Sequence, residues 1–217
     1  MANEIVRYRS TPMDLAATLG ERLPRGRHGL TREQVVQSQR GRIFRATAEI
    51  MARKGYATTS VSEVVQAAGV SRETFYEQFR SKEDCFMAAF ETAANAVLAA
   101  VREAGVEDGS PLERFERGLR AYLDALAADP AFARVMLIEI YAAGPDALQR
   151  RAVLQSGFVD AVGETLGRRT ASDRFANEAL VAAISAIVTS RLAAGDVVGL
   201  RALHRPLTDL ARRLHRR

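Results

Sequence analysis

Few side chains in this sequence stand where they could do covalent chemistry, but the run Arg72-Glu-Thr-Phe-Tyr76 is equipped for recognition. The planar fork of Arg72 can bond O6 and N7 of a guanine together, a pairing that discriminates between bases by roughly 1–3 kcal/mol. Tyr76 offers a ring for stacking and a hydroxyl for a phosphate, and Lys82 is a point charge for a phosphate oxygen. The enzymatic alternatives are thin. His28, His204 and His215 lie in basic or terminal surroundings, none at metal-ligand spacing with a carboxylate pair. No P-loop, GxGxxG, HExxH or GxSxG pattern occurs. Neither catalysis, a metal nor a cofactor is expected.

Two short helices must position that run. Ser60 is an N-cap with Glu63 three residues on, the capping-box spacing. Val61, Val64, Val65 and Ala68 follow on one helical face. Gly69 stands where a helix stops in the left-handed conformation that glycine tolerates best. Ser71 caps the second helix, from about Arg72 to Phe79, in which Phe75 and Phe79 share the inward face. Arg72, Glu73, Tyr76 and Glu77 lie largely off it. The layout is that of a helix-turn-helix reader, with an ordinary αα-hairpin as the alternative.

Charge is placed to match. The chain has 31 Lys+Arg against 26 Asp+Glu. Between Arg22 and Lys54 nine basic residues face two acidic ones, Glu33 and Glu49, whereas the segment after Phe86 is nearly balanced. A polyanion would therefore meet its positive charge beside the two short helices. Residues 1–30 are expected to form a flexible basic arm, either a solvated linker or a strap reaching DNA through Arg25, Arg27 and Arg32. The lone Cys85 cannot form an intrachain disulfide, which suits a reducing interior, and is expected to be a small core residue or a thiol sensor. No apolar run is expected to span a bilayer, no membrane partner is expected, and the reading is cytoplasmic.

The remaining pattern is helical throughout. Thr31 and Gln34 form a capping box for a helix running to about Lys54, buried through Val35, Val36, Ile43, Ala46, Ala48, Ile50 and Met51. Ser81 caps a long helix from Lys82 to about Ala104, with Phe86, Phe90, Ala93, Val97 and Val101 on one stripe. Ser110-Pro-Leu-Glu113 opens another, Asp129-Pro130 a third and Gly144-Pro145 a fourth. Asp173 is expected to cap a helix from Arg174 to about Ala194 that is apolar on two sides. A last helix is expected over about Leu200 to Leu214. No strand pattern is visible, so the fold class is all-α.

From Arg42 to Phe86 the sequence resembles the DNA-binding region of TetR-family transcriptional regulators. The resemblance rests on residues that include Gly55, Tyr56, Thr59, Ser60, Val64, Ala68, Gly69, Val70, Ser71, Thr74, Phe75, Tyr76, Phe79 and Lys82. It implies a helix-turn-helix DNA-binding domain over residues 31–81 and a helical effector-binding and dimerisation domain over 82–217. It also implies that Arg72, Glu73, Thr74 and Tyr76 approach base edges, that Ser60, Tyr76 and Lys82 hold phosphates, and that Ser62 sits at the rim. The expected partners are operator DNA, a second copy of the chain and a small, largely apolar effector. Pocket candidates are Phe90, Phe115, Tyr122, Met136, Tyr141 and Phe158. Candidates for the dimer interface are Leu180, Ile184, Ile187, Val188, Leu203 and Leu207. Glu73 and the Glu77-Gln78 pair depart from the family pattern. Glu73 could accept from cytosine N4 or hold Arg72 in position. The same acids favour the alternative, a helical small-molecule- or partner-binding protein with weakened DNA binding.

Overall fold

The structure is a computed structural model that describes residues 31–105, 108–167 and 170–214. Arg25, Arg27, His28 and His215 lie outside them. The described elements are helical: α1 (Arg32–Lys54), α2 (Val61–Ala68), α3 (Arg72–Gln78), α4 (Lys82–Gly105), α5 (Pro111–Ala128), α6 (Pro130–Leu137), a 3-10 turn (Glu139–Ala142), α7 (Pro145–Leu166), α8 (Ala171–Ala193), α9 (Val197–Ala202) and α10 (His204–Leu214).

The starts are written in local chemistry. Thr31–Gln34, Ser60–Glu63 and Ser110–Glu113 each close a full capping box. Asp129 accepts from the Phe132 N–H at 3.3 Å and so caps α6. Three boundaries differ from expectation. Thr170, not Asp173, caps α8; Asp173 is the acidic partner three residues in, its carboxylate taking the Thr170 N–H and hydroxyl. The third body helix stops at Leu137 and tightens into the 3-10 turn. The expected last helix is two helices, because it breaks between Ala202 and His204.

One continuous cluster of buried apolar side chains runs from Ile43 and Phe44 on α1, through Phe75, Phe79 and Phe86, to Leu207 and Ala211 on α10. The most extensive helix pairing is α4 on α5. Gly118 lies in that contact, directly against Val101 of α4. Helix α6 is the central piece: it packs on α1, α4, α5 and α8. Val36, expected on the buried side of α1, is 36% exposed, because no described residue covers the first turns of that helix.

The expectation about membrane-length segments needs correction. Helices Lys82–Ala104 and Ala171–Ala193 are long and apolar enough to cross a membrane by length and composition. Their mean hydropathy is carried in large part by alanines. Their large side chains, Phe86, Phe90 and Val97 on one and Leu180, Ile184, Val188 and Leu192 on the other, are buried in the protein's own core.

Candidate nucleic-acid interface and ligand cavity

Helix α3 stands on Phe75 and Phe79, which are 1% and 2% exposed, and turns Tyr76 outward at 46%. The two phenylalanine rings lie 5.4 Å apart, and Phe79 packs 5.7 Å from Phe44 of α1. Gly69, at φ 62°, makes the turn. Arg42 of α1 locks it by donating to the carbonyls of Ala68 and Gly69 at 2.7 and 3.2 Å. Arg40 lies against both Phe44 and Phe79, 5.1 and 4.7 Å from their ring centres.

On the outer face, Arg72 donates to Ser62 Oγ at 3.4 Å and to the Tyr76 hydroxyl at 3.5 Å, with its guanidinium 5.6 Å from the Tyr76 ring. These contacts are at the long end of hydrogen bonding, so the fork is aimed but free to leave for a stronger acceptor. Ser62 and Tyr76 orient Arg72, and Glu73 does not share in it: the expectation that Glu73 holds the arginine is corrected. Glu73 is exposed on the same side. Thr74 is half-buried and shares a 2.9 Å hydrogen bond with Ser71 Oγ, so its hydroxyl belongs to the helix cap.

The expected phosphate ligands are similarly engaged. Ser60 accepts from the Glu63 N–H and donates to the Glu63 carboxylate. Lys54 pairs with that carboxylate at 2.6 Å. The Lys54 bond, then those from Ser60, hold the Glu63 carboxyl down to about 2. Lys82 donates to the Tyr56 carbonyl at 2.9 Å and sits 4.3 Å above the Tyr56 ring. An ammonium has three protons, so two remain for other acceptors. Burial, followed by the charge of Glu83, pushes the Tyr56 hydroxyl up. Arg32 is exposed at the start of α1. Cys85 is buried beside Thr47 Oγ1 at 3.5 Å, and desolvation pushes its thiol up to about 12. It is a core residue.

A cavity of about 140 Å³ opens between α4, α5, α6, α7 and α8. Four of the six pocket candidates, Phe115, Tyr122, Met136 and Phe158, line it with Leu119, Leu137, Leu154 and Ile184. Two candidates are corrected. Phe90, 3% exposed, is on the side of α4 that packs into the core, and Tyr141 lies on the surface, 55% exposed, where the 3-10 turn carries it outward. The polar lining was not foreseen. Arg151 donates to Gln155 Oε1 at 3.0 Å and to Ser185 Oγ at 3.1 Å, and stacks 4.8 Å from the Tyr141 ring. Its Nε is buried without a hydrogen bond. Among the described residues no carboxylate pairs with Arg151. Tyr122 is edge-on to Phe158, and burial raises its hydroxyl against the pull of Arg151.

The dimer candidates are corrected as well. Leu180, Ile184, Val188, Leu203 and Leu207 are all buried in the protomer's own core. Of the six, only Ile187, 38% exposed, is free for a partner. On α8 Leu180, Val181, Ile184, Val188 and Leu192 turn inward and leave Ala179, Ala182 and Ala186 outside. The exposed apolar residues on α8 to α10 are Phe175, Ile187, Val198 and Leu214.

A short helix presenting arginine and tyrosine outward, locked across a glycine turn onto a capped partner, has the layout of a helix-turn-helix reader. Residues 43–89 match the family described as bacterial regulatory proteins, tetR family. Over residues 43–89 the chain carries the DNA-binding region of TetR-family transcriptional regulators.

Among its relatives is the HTH-type transcriptional activator FasR of Mycolicibacterium smegmatis, 25% identical over 71% of this chain and 72% of the relative. Another is the fatty acid metabolism regulator protein of Bacillus subtilis, 25% identical over 54% of this chain and 61% of the relative. The fold is that of the fatty acid degradation regulator FadR from Bacillus halodurans, with a TM-score of 0.72 at 23% identity over 79% of this chain and 93% of that one. FadR from Bacillus subtilis, solved in complex with stearoyl-CoA, gives 0.69 at 21% identity over 78% and 95%.

Proposed function

We propose that the chain is a homodimeric repressor that binds a near-palindromic operator and is released from it by an acyl effector. The observation that carries the reading is the outer face of α3, where Arg72 is poised by Ser62 and Tyr76 and no carboxylate among the described residues pairs with it. Two such helices, one per protomer, would enter successive major grooves about one helical turn apart. Lys82, Ser60 and the arm arginines Arg25, Arg27 and Arg32 would take phosphates, and Glu73 would accept from a cytosine N4. Assembly through the exposed side of α8 to α10 would cover Phe175, Ile187 and Val198. Such a regulator works where the chromosome is, in the cytoplasm.

The effector is read from the cavity. Its wall is aromatic and aliphatic, and two arginines line it, Arg114 bonded to the Gly109 and Thr165 carbonyls and Arg151 beside Phe158, bonded to Gln155 and Ser185. An acyl chain with a polar or anionic head suits that lining better than a wholly apolar molecule. The relatives' names, and the stearoyl-CoA bound to one of them, support the class. Ligand sites commonly enclose about 300–1,000 Å³. The cavity, at about 140 Å³, must be parted by a long chain, and that strain is what the ligand can convert into a shift of the reader. Moving from 1:99 to 99:1 requires roughly 5.5 kcal/mol of differential affinity between the two states.

Selection of bound duplexes from random DNA tests the reading. It should enrich inverted repeats, and stearoyl-CoA should weaken binding to the winners. Failure to enrich any sequence would favour the second reading, a helical binding protein whose exposed Glu73 and Glu77 repel DNA.

A further inference from the structure

We propose that Glu139 is a positioning residue for the DNA reader: it fastens helix α6, which lines the cavity through Met136 and Leu137, to the turn between α1 and α2. This rests on the effector reading above and names its route.

Glu139 lies just past the end of α6, 7% exposed. One carboxylate oxygen accepts the Tyr56 N–H at 2.8 Å, across 83 residues of chain. The other lies 3.9 Å from Arg134, whose guanidinium also donates to the Leu192 carbonyl at the end of α8 at 3.2 Å. The Tyr56 carbonyl in turn takes Lys82 at the start of α4. Gly55, at φ 86°, brings the turn up against the carboxylate: a Cβ there would lie 3.5 Å from Glu139 Oε2. The far end of α6 is tied to the reader too, for Asp129 pairs with Arg45 of α1 at 2.7 Å.

Between these two ties, Met136 and Leu137 form part of the cavity wall. A chain that parts the wall on the side of Met136 and Leu137 pushes α6, and a shift of α6 strains or breaks the Glu139–Tyr56 bond. A buried N–H stripped of its acceptor is costly, so the contact is made or lost rather than stretched gradually. Glu139 thereby holds α2, and with it α3 and the perch of Lys82, in the DNA-competent pose.

The test compares wild type with Glu139→Ala and Glu139→Gln on a duplex selected by the wild-type protein. Three readouts are taken: amide exchange at Tyr56 without ligand, duplex affinity without ligand, and the ratio of affinities with and without saturating stearoyl-CoA. Thermal melting checks that the variants fold. Glu139→Ala should raise exchange at Tyr56 at least about tenfold, weaken DNA about tenfold and shrink the stearoyl-CoA ratio to within about twofold of unity, while still binding stearoyl-CoA. Glu139→Gln keeps an acceptor oxygen and should recover part of each. Unchanged Tyr56 exchange and DNA affinity in Glu139→Ala, or a full wild-type response to stearoyl-CoA, would overturn the proposal. A wild-type complex indifferent to stearoyl-CoA would instead overturn the effector class, with exchange and DNA affinity still deciding the fastening.

Discussion

Arg72 and Tyr76 form a small unit in which each residue supports the other. The guanidinium lies over the phenol, and the phenol stands edge-on to Phe75 at 5.4 Å and 86°. Removing Tyr76 therefore deletes a proposed DNA contact and loosens Arg72, whereas removing Arg72 leaves Tyr76 braced from below. We predict that Tyr76→Ala weakens binding to every duplex, and that Arg72→Ala weakens the selected sequence by about 1–3 kcal/mol while leaving nonspecific affinity nearly intact, as titrations on selected and scrambled DNA would show. Cys85 is a second residue-scale case. With its thiol pushed up to about 12, it should resist a thiol reagent at pH 8 in the folded protein and react once unfolded. Residues announced by type and spacing, such as Ser60, Gly69, Phe75 and Tyr76, were legible because their roles are set within a turn or two of chain. Glu139 and Arg151 were not: a carboxylate and an arginine among many look solvated until the chain brings Tyr56 to one and Ser185 to the other.

At the scale of elements, the reader is held by caps as much as by its core. Glu63 gathers Ser60 and Lys54, which lowers its carboxyl from the ordinary 4.5 to about 2. A depressed acid contributes stability that is fully present above its unfolded value and lost as pH falls through its folded one. The advantage of wild type over Glu63→Gln in thermal melts should therefore be full above pH 4.5 and vanish as pH drops through 2. Gly69→Ala must place a Cβ in the left-handed region and should destabilise by about 1–2 kcal/mol, read by denaturant titration. Phe75→Ala, which hollows the base of α3, should lose about 3–5 kcal/mol. Helix identities were readable from spacing because three capping boxes and the prolines at Pro111, Pro130 and Pro145 mark the starts. The ends were harder. Nothing local says that α6 stops at Leu137; the backbone breaks at Ile138, and the 3-10 turn that follows sets Glu139 against Tyr56.

For the whole molecule, sequence reasoning fixed which helices are apolar on two sides but not which side faces out. Leu180, Ile184 and Val188 went to the protomer's own core, and the side left exposed is small and alanine-rich, flanked by Phe175 and Ile187. Close backbone approach between small residues suits a helix pairing of two copies. Sedimentation should report about twice the chain's 23.7 kDa, and Ile187→Asp with Val198→Asp should return the mass toward one chain. The basic stretch before α2 adds a further global property: operator affinity should fall by orders of magnitude between about 50 and 200 mM salt. The central claim, that the outer face of α3 reads DNA, is tested most directly by titrating a selected duplex with wild-type protein and with folded Tyr76→Ala. Tyr76→Ala should lose at least about tenfold in affinity. Equal affinity in the two, with melting curves unchanged, would contradict it.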